Sequence, residues 1–171
     1  MQSRDLLLTA YDNIEESVRG ALEGIDPALL TVRVDPDANT IAWLVWHLTR
    51  VQDDHVCAVA DVEQAYTAKG WAKRFDLPFD DAAIGYGHSS ADVAAVRVAD
   101  PALLLDYYED VHRQTLEYVR GLTAADLDRV VDERWDPPVT LGVRLVSVVD
   151  DDLEHAGQAA FVRGVLERRR G

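Results

Sequence analysis

The stretch Asp150-Asp151-Asp152-Leu153-Glu154-His155 puts three carboxylates within reach of one imidazole. On a helix Asp151 and His155 are four residues apart and Asp152 and His155 three, so either pair projects from a single face. Leu145, Val148, Val149, Leu153, Ala156 and Ala160 flank these residues and mark the segment as largely buried. A buried carboxylate without a partner is costly. A cationic side chain offsets that cost; so does a metal ion, for which a carboxylate and an imidazole at this spacing form half a site. A facing helix must then provide a further ligand, and the run TIAWLVWHLTRVQDDHV offers His47 and His55. They are about 12 Å apart along a helix axis, too far to share one ion readily. His55 lies on the stripe of Leu44, Leu48 and Val51, and His47 at its edge. Geometry alone leaves the choice open.

The other notable residues have plainer readings. His112 follows Val111 in mid-helix and reads as a bundle or surface histidine, while His88, in GYGHSS, reads as an exposed loop residue. Arg50 and Asp54 form a solvated pair at four-residue spacing. Trp43 and Trp46 are expected to pack, with a dimer face included in that reading. Trp71 and Trp135, in connecting segments, either roof a pocket or enter the core. Gln158, three residues after His155, is placed to hydrogen-bond its ring. Cys57 is the one cysteine, set in an apolar helix where thiols are usually inert.

Four long helical segments must position these groups. The first has Ser3 as its expected cap, then Leu7, Tyr11, Ile14, Val18 and Leu22 on one face, and closes at Gly24. The second is capped by Asn39 or Thr40 and carries Ile41, Leu44, Val45, Leu48 and Val51 inward. The third starts with Asp100 as cap and Pro101 at the first helical position, and ends near Gly121. The fourth runs from Thr140 to about Arg169. About 37 residues, from Glu63 to Ala99, separate the second and third. Loops of that length inside domains are often functional. Ser89 and Ser90 are expected to cap a short helix through Arg97. TAADLDRV predicts another helical turn, and VVDERWDPPVTLG extended chain interrupted by its prolines. The pattern predicts an all-α fold: one domain, residues 1–171, built as an antiparallel four-helix bundle with a long crossover loop between helices two and three.

TIAWLVWHLTR together with DDDLEHAGQAAFVRG resembles the DinB/YfiT-like superfamily of four-helix metalloproteins, which includes the N-terminal domain of mycothiol-dependent maleylpyruvate isomerase. The crossover segment RFDLPFDDAAIGYGHSSADVAAVRV is similar to an actinobacterial branch of it. The superfamily pattern has a histidine followed by leucine in the second helix, matched by His47, and His-x-x-x-His-x-Gly-Gln or an acid variant on the last, matched by Asp151 and His155. The resemblance thus implies a metal site of His47, Asp151 and His155, with Asp152 the alternative acid. Two imidazoles and one carboxylate suit Zn²⁺, Ni²⁺ or Fe²⁺ and leave positions open for water or substrate. A cation there lowers the pKa of a bound water to roughly 7 or deprotonates a bound thiol. The resemblance also implies a metal-dependent enzyme, with S-transfer or isomerisation that uses a low-molecular-weight thiol such as mycothiol as cosubstrate, and a homodimer. The alternative is a non-catalytic dimeric bundle that binds a metal or small ligand.

Composition narrows the partners. A net charge of −14 on 171 residues repels phosphate backbones and argues against nucleic acid. No apolar run approaches membrane-spanning length, and the N-terminal leucines are too few for a signal peptide core. A single cysteine precludes an internal disulfide and fits a reducing cytoplasm. A small-molecule substrate is the partner these features leave.

Overall fold

The structure, a computed structural model, describes residues 2–170. Four long helices form it: α1 (Ser3–Leu22), α2 (Ile41–Ala60), α6 (Pro101–Arg120) and α8 (Leu141–Arg170). Between them lie a 3-10 turn at Pro27–Leu29, the short helices α3 (Ala65–Ala68), α4 (Trp71–Phe75), α5 (Ser90–Ala95) and α7 (Ala124–Leu127), and a hairpin of β1 (Val130–Asp132) and β2 (Val139–Thr140).

Local chemistry sets the helix ends. Gln2, one residue before the expected Ser3, caps α1, and its backbone N–H donates to the Asp5 carboxylate at 2.7 Å. Thr40 Oγ1 accepts from Trp43 N–H at 3.1 Å and starts α2. Asp100 accepts from Ala102 N–H ahead of Pro101, as the sequence predicts. Ser89 and Asp92 close a reciprocal capping box on α5, which stops at Ala95 rather than Arg97. The VVDERWDPPVTLG segment is extended as expected, but it also pairs with itself: Val130 lies opposite Thr140 and Asp132 opposite Val139.

The four long helices make the expected all-α bundle, with the crossover joining α2 to α6. α1 and α2 each pack against both α6 and α8, so α1 lies diagonally across from α2. Side-chain contacts give the directions. Arg19 meets Glu109 and Arg4 meets the Leu122 carbonyl, so α1 and α6 run antiparallel. His47 faces Asp151 and His155, while Asp54 and His55 line a cleft with Arg144, so α2 and α8 are antiparallel too. The remaining neighbours run parallel: Tyr11 reaches the Leu145 carbonyl while Arg163 reaches that of Glu23, and Arg50 touches Tyr107 while Tyr118 touches the Val59 carbonyl. The crossover makes this order possible. It returns the chain along the roughly 30 Å length of a 20-residue helix, so that α6 starts at the same end as α2.

The crossover also covers α2. Every residue from Ile41 to Asp53 is buried, polar ones included. Arg50 is fully buried, and corrects the expectation of a solvated pair with Asp54: it lies 3.6 Å from Asp53. It donates to the carbonyls of Ala83 and Asp81 and to Gln64 Oε1, and stacks over the Tyr66 ring. Asp53 in turn accepts from the N–H groups of Ala65 and Tyr66 and from the Tyr107 hydroxyl. One buried ion pair thereby holds the start and the middle of the crossover against α2. Among the described residues, no helix is long and apolar enough to cross a membrane.

Candidate metal centre

His47 projects from mid-α2 toward Asp151 and His155, one turn apart on α8. One ligand-capable atom from each lies within 4.8 Å of the others. The His47 and His155 rings are 4.9 Å apart between centroids. Both rings are oriented by a partner on Nδ1: the Ile84 carbonyl for His47, at 2.5 Å, and Gln158 Oε1 for His155, at 3.1 Å. Nδ1 therefore carries the proton in each, and Nε2 presents its lone pair to the space beside Asp151. Hydrogen bonds of this kind fix the tautomer of metal-ligating histidines. Burial pushes the His47 imidazole below its usual pKa, which keeps it neutral as a ligand must be.

Asp151 completes the set. Its Oδ1 lies 3.8 Å from His155 Nε2 and 3.5 Å from the Tyr86 hydroxyl. Its Oδ2 is buried and has no hydrogen-bond partner among the described residues. An orphaned carboxylate oxygen beside two imidazoles fits a divalent cation, whose charge offsets the burial. Asp152, the alternative acid, is not part of this cluster. It is fully buried, and neither of its oxygens has a partner among the described residues. Burial raises its pKa well above the carboxylate range, and the neighbouring Asp151 adds to the effect.

Three residues of the crossover were not singled out from the sequence. Ile84 supplies the carbonyl that orients His47. Gly85 follows with φ +103, and a Cβ there would run into His47 Nδ1. Tyr86 stands edge-on to His47 at 5.4 Å and reaches Asp151. The one available signal was the glycine on each side of the tyrosine in GYGHSS. His88 is not a free loop residue either: its Nδ1 accepts from Trp43 Nε1 at 3.1 Å, and it stacks on Trp46. Trp43 lies flat on His47, with centroids 4.5 Å apart. Both helix-two tryptophans are thus buried within the chain and present no dimer face. Trp71 joins the core and Trp135 is exposed, so neither roofs the centre. His55 is half-buried and pairs with Asp54, away from the ligand cluster.

Two clefts lie along the seam of α2 and α8, one toward each end of it from the cluster, and none of the three candidate ligands is in their walls. One, of about 320 Å³, is polar, with Asp54, His55, Asp132, Arg134 and Arg144 in its walls. The other, of about 420 Å³, includes Leu44, Gln158, Phe161 and Val162 and is mainly apolar.

A family model described as mycothiol-S-transferase matches residues 6–168. The chain belongs to that family. This membership bears out the DinB/YfiT-like resemblance of its two motifs. Among solved structures, a conserved protein from Enterococcus faecalis is similar at 30% identity and a TM-score of 0.89, over 95% of this chain and 96% of that one. YfiT from Bacillus subtilis, described as a probable metal-dependent hydrolase with an unusual four-helix bundle topology, is 20% identical with a TM-score of 0.57, over 98% of this chain and 87% of its own; that likeness concerns the fold. No curated protein matches the chain.

Proposed function

We propose that this mycothiol-S-transferase family member is a metal-dependent enzyme that joins a low-molecular-weight thiol, of the mycothiol type, to a small electrophile. His47, Asp151 and His155 would hold the cation, Zn²⁺, Ni²⁺ or Fe²⁺, through two Nε2 atoms and one carboxylate. Such an ion, when bound, supplies Lewis acidity and deprotonates a thiol that reaches it. The chain's own groups do the rest. The Ile84 carbonyl and Gln158 hold the two rings in the ligating tautomer. The Tyr86 hydroxyl faces the carboxylate as a long-range donor. Trp43 and Tyr86 enclose His47 on two sides and limit water there. The polar cleft suits a hydroxyl-rich thiol and the apolar one a hydrocarbon electrophile. In the reaction a sulfur–carbon bond forms, the electrophile's leaving group departs, and the thiol proton goes to solvent.

The observation that carries this reading is the clustering of two imidazoles, each donating from Nδ1, with a carboxylate that has one orphaned oxygen. Elemental analysis of protein purified without chelator should find a transition metal, with one equivalent fewer in His47→Ala and in His155→Ala. Mycothiol consumption with a model electrophile should fall at least a hundredfold in both variants. Protein that retains the metal yet neither binds nor consumes mycothiol would exclude the transferase and leave a metal-binding bundle without this activity.

A further inference from the structure

The seam between α1 and α6 lies opposite the seam that carries His47, and it too holds a histidine facing carboxylates across an antiparallel helix pair. Donor atoms of Asp12, Glu15 and His112 all fall within 4.8 Å of one another. His112 is only 6% exposed, and its ring makes no hydrogen bond among the described residues: Nδ1 is buried without a partner. Its Nε2 points out of the core at Glu15 Oε2, 3.3 Å away, and Asp12 Oδ1, 3.6 Å away.

Those distances are informative. A protonated imidazole bonded to a carboxylate sits about 2.7–2.9 Å from it. Two ligands at 2.0–2.1 Å from one tetrahedral ion stand roughly 3.3 Å apart. The separations here fit the second arrangement better. The Tyr108 ring stacks on His112, 5.8 Å away and 19° off parallel, and so sets the ring plane. Arg19 binds Oε1 of Glu15, which leaves Oε2 free for another partner. We propose that Asp12, Glu15 and His112 form a second divalent-cation site, of one imidazole and two carboxylates, that ties α1 to α6.

Two carboxylates and a neutral imidazole balance a 2+ ion and suit Zn²⁺, Co²⁺ or Mn²⁺. Burial holds the His112 pKa below its usual value, so the ring is neutral near pH 7. Asp12 and Glu15 work against that shift, and Arg19 and Arg120 add to it. The Asp12 side chain is 60% exposed, so water has access to the remaining coordination positions. The site needs no substrate, and its effect is to clamp two helices.

Zn²⁺ titration by calorimetry, with equilibrium dialysis as a check, tests this on the intact chain. In the His47→Ala variant one equivalent of Zn²⁺ should still bind and raise the melting temperature. The His47→Ala/His112→Ala double variant should lose both the equivalent and the shift. Glu15→Gln, at a half-buried position, should weaken the same equivalent at least tenfold and guards against misfolding of the histidine variant. Uptake of as much Zn²⁺ by the double variant and by Glu15→Gln as by their parents would overturn the second site. Failure of the first centre reads differently, as a His47→Ala variant that binds Zn²⁺ like the wild type.

Discussion

At the scale of single residues, the candidate centre depends on what stands behind the candidate ligands. Gly85 shows this most directly, because its positive φ and the absence of a Cβ are what let the crossover backbone meet His47. Gly85→Ala should cost about 1–3 kcal/mol in backbone strain and displacement, read as a shift in the urea midpoint. Zn²⁺ affinity at the His47 centre should fall at least tenfold in the same variant. Cys57 sits at the other extreme. Burial first, then the nearby Asp53 carboxylate, push its thiol up to about 12. At pH 8 the thiolate fraction is on the order of one in ten thousand, so iodoacetamide should leave Cys57 unmodified in the native protein and label it fully in guanidinium. Rapid labelling of folded protein would remove the inert-thiol reading.

At the scale of elements, the crossover between α2 and α6 is the decisive piece. It is not a slack loop. Arg50 and Asp53, both without exposed surface, bind its backbone near residue 82 and at the start of α3. Breaking a buried pair by removing one partner leaves an uncompensated charge and typically costs about 3–5 kcal/mol. Arg50→Met should therefore destabilise the protein by about that much, and limited proteolysis should cut first between residues 76 and 88. Because the same segment supplies Ile84 and Tyr86, Zn²⁺ affinity at the His47 centre should drop in parallel. Proteolysis unchanged from wild type would show that the anchoring lies elsewhere.

At the scale of the whole molecule, antiparallel pairs α1/α6 and α2/α8 assemble side by side, and tyrosines fill much of the space between them. Tyr11, Tyr107 and Tyr108 are fully buried, and that burial raises all three phenols well above their usual range. The folded state keeps these protons while the unfolded chain releases them near pH 10, so the unfolded state binds fewer and stability falls as pH rises past about 10. Phenolate absorbance for these residues should appear together with loss of helical circular dichroism, not before it. A Tyr107→Phe variant should show a shallower alkaline decline.

Much of this architecture is written locally. The stripe of Leu7, Tyr11, Ile14 and Val18, the Thr40 and Asp100 caps and the Pro101 start each depend on neighbours within a turn or two, and so the four long helices follow from the chain itself. The pairing of Asp151 with His155 is local for the same reason: four residues of helix put them on one face. The matched motifs that join them to His47 also lie in the linear chain, through resemblance rather than geometry. What required the tertiary structure is whatever depends on a partner distant in sequence. Arg50 reads as a surface cation until the crossover is seen to fold over it. Asp151 and Asp152 are equivalent on paper; the packing of α8 aims one at two imidazoles and seals the other inside the bundle near the Tyr11 and Tyr108 phenols. The Ile84 carbonyl, the absent side chain of Gly85 and the facing of His112 by Asp12 and Glu15 carry no periodic signal, because backbone placement and inter-helix register are set by the sum of core contacts and by no single stretch of residues.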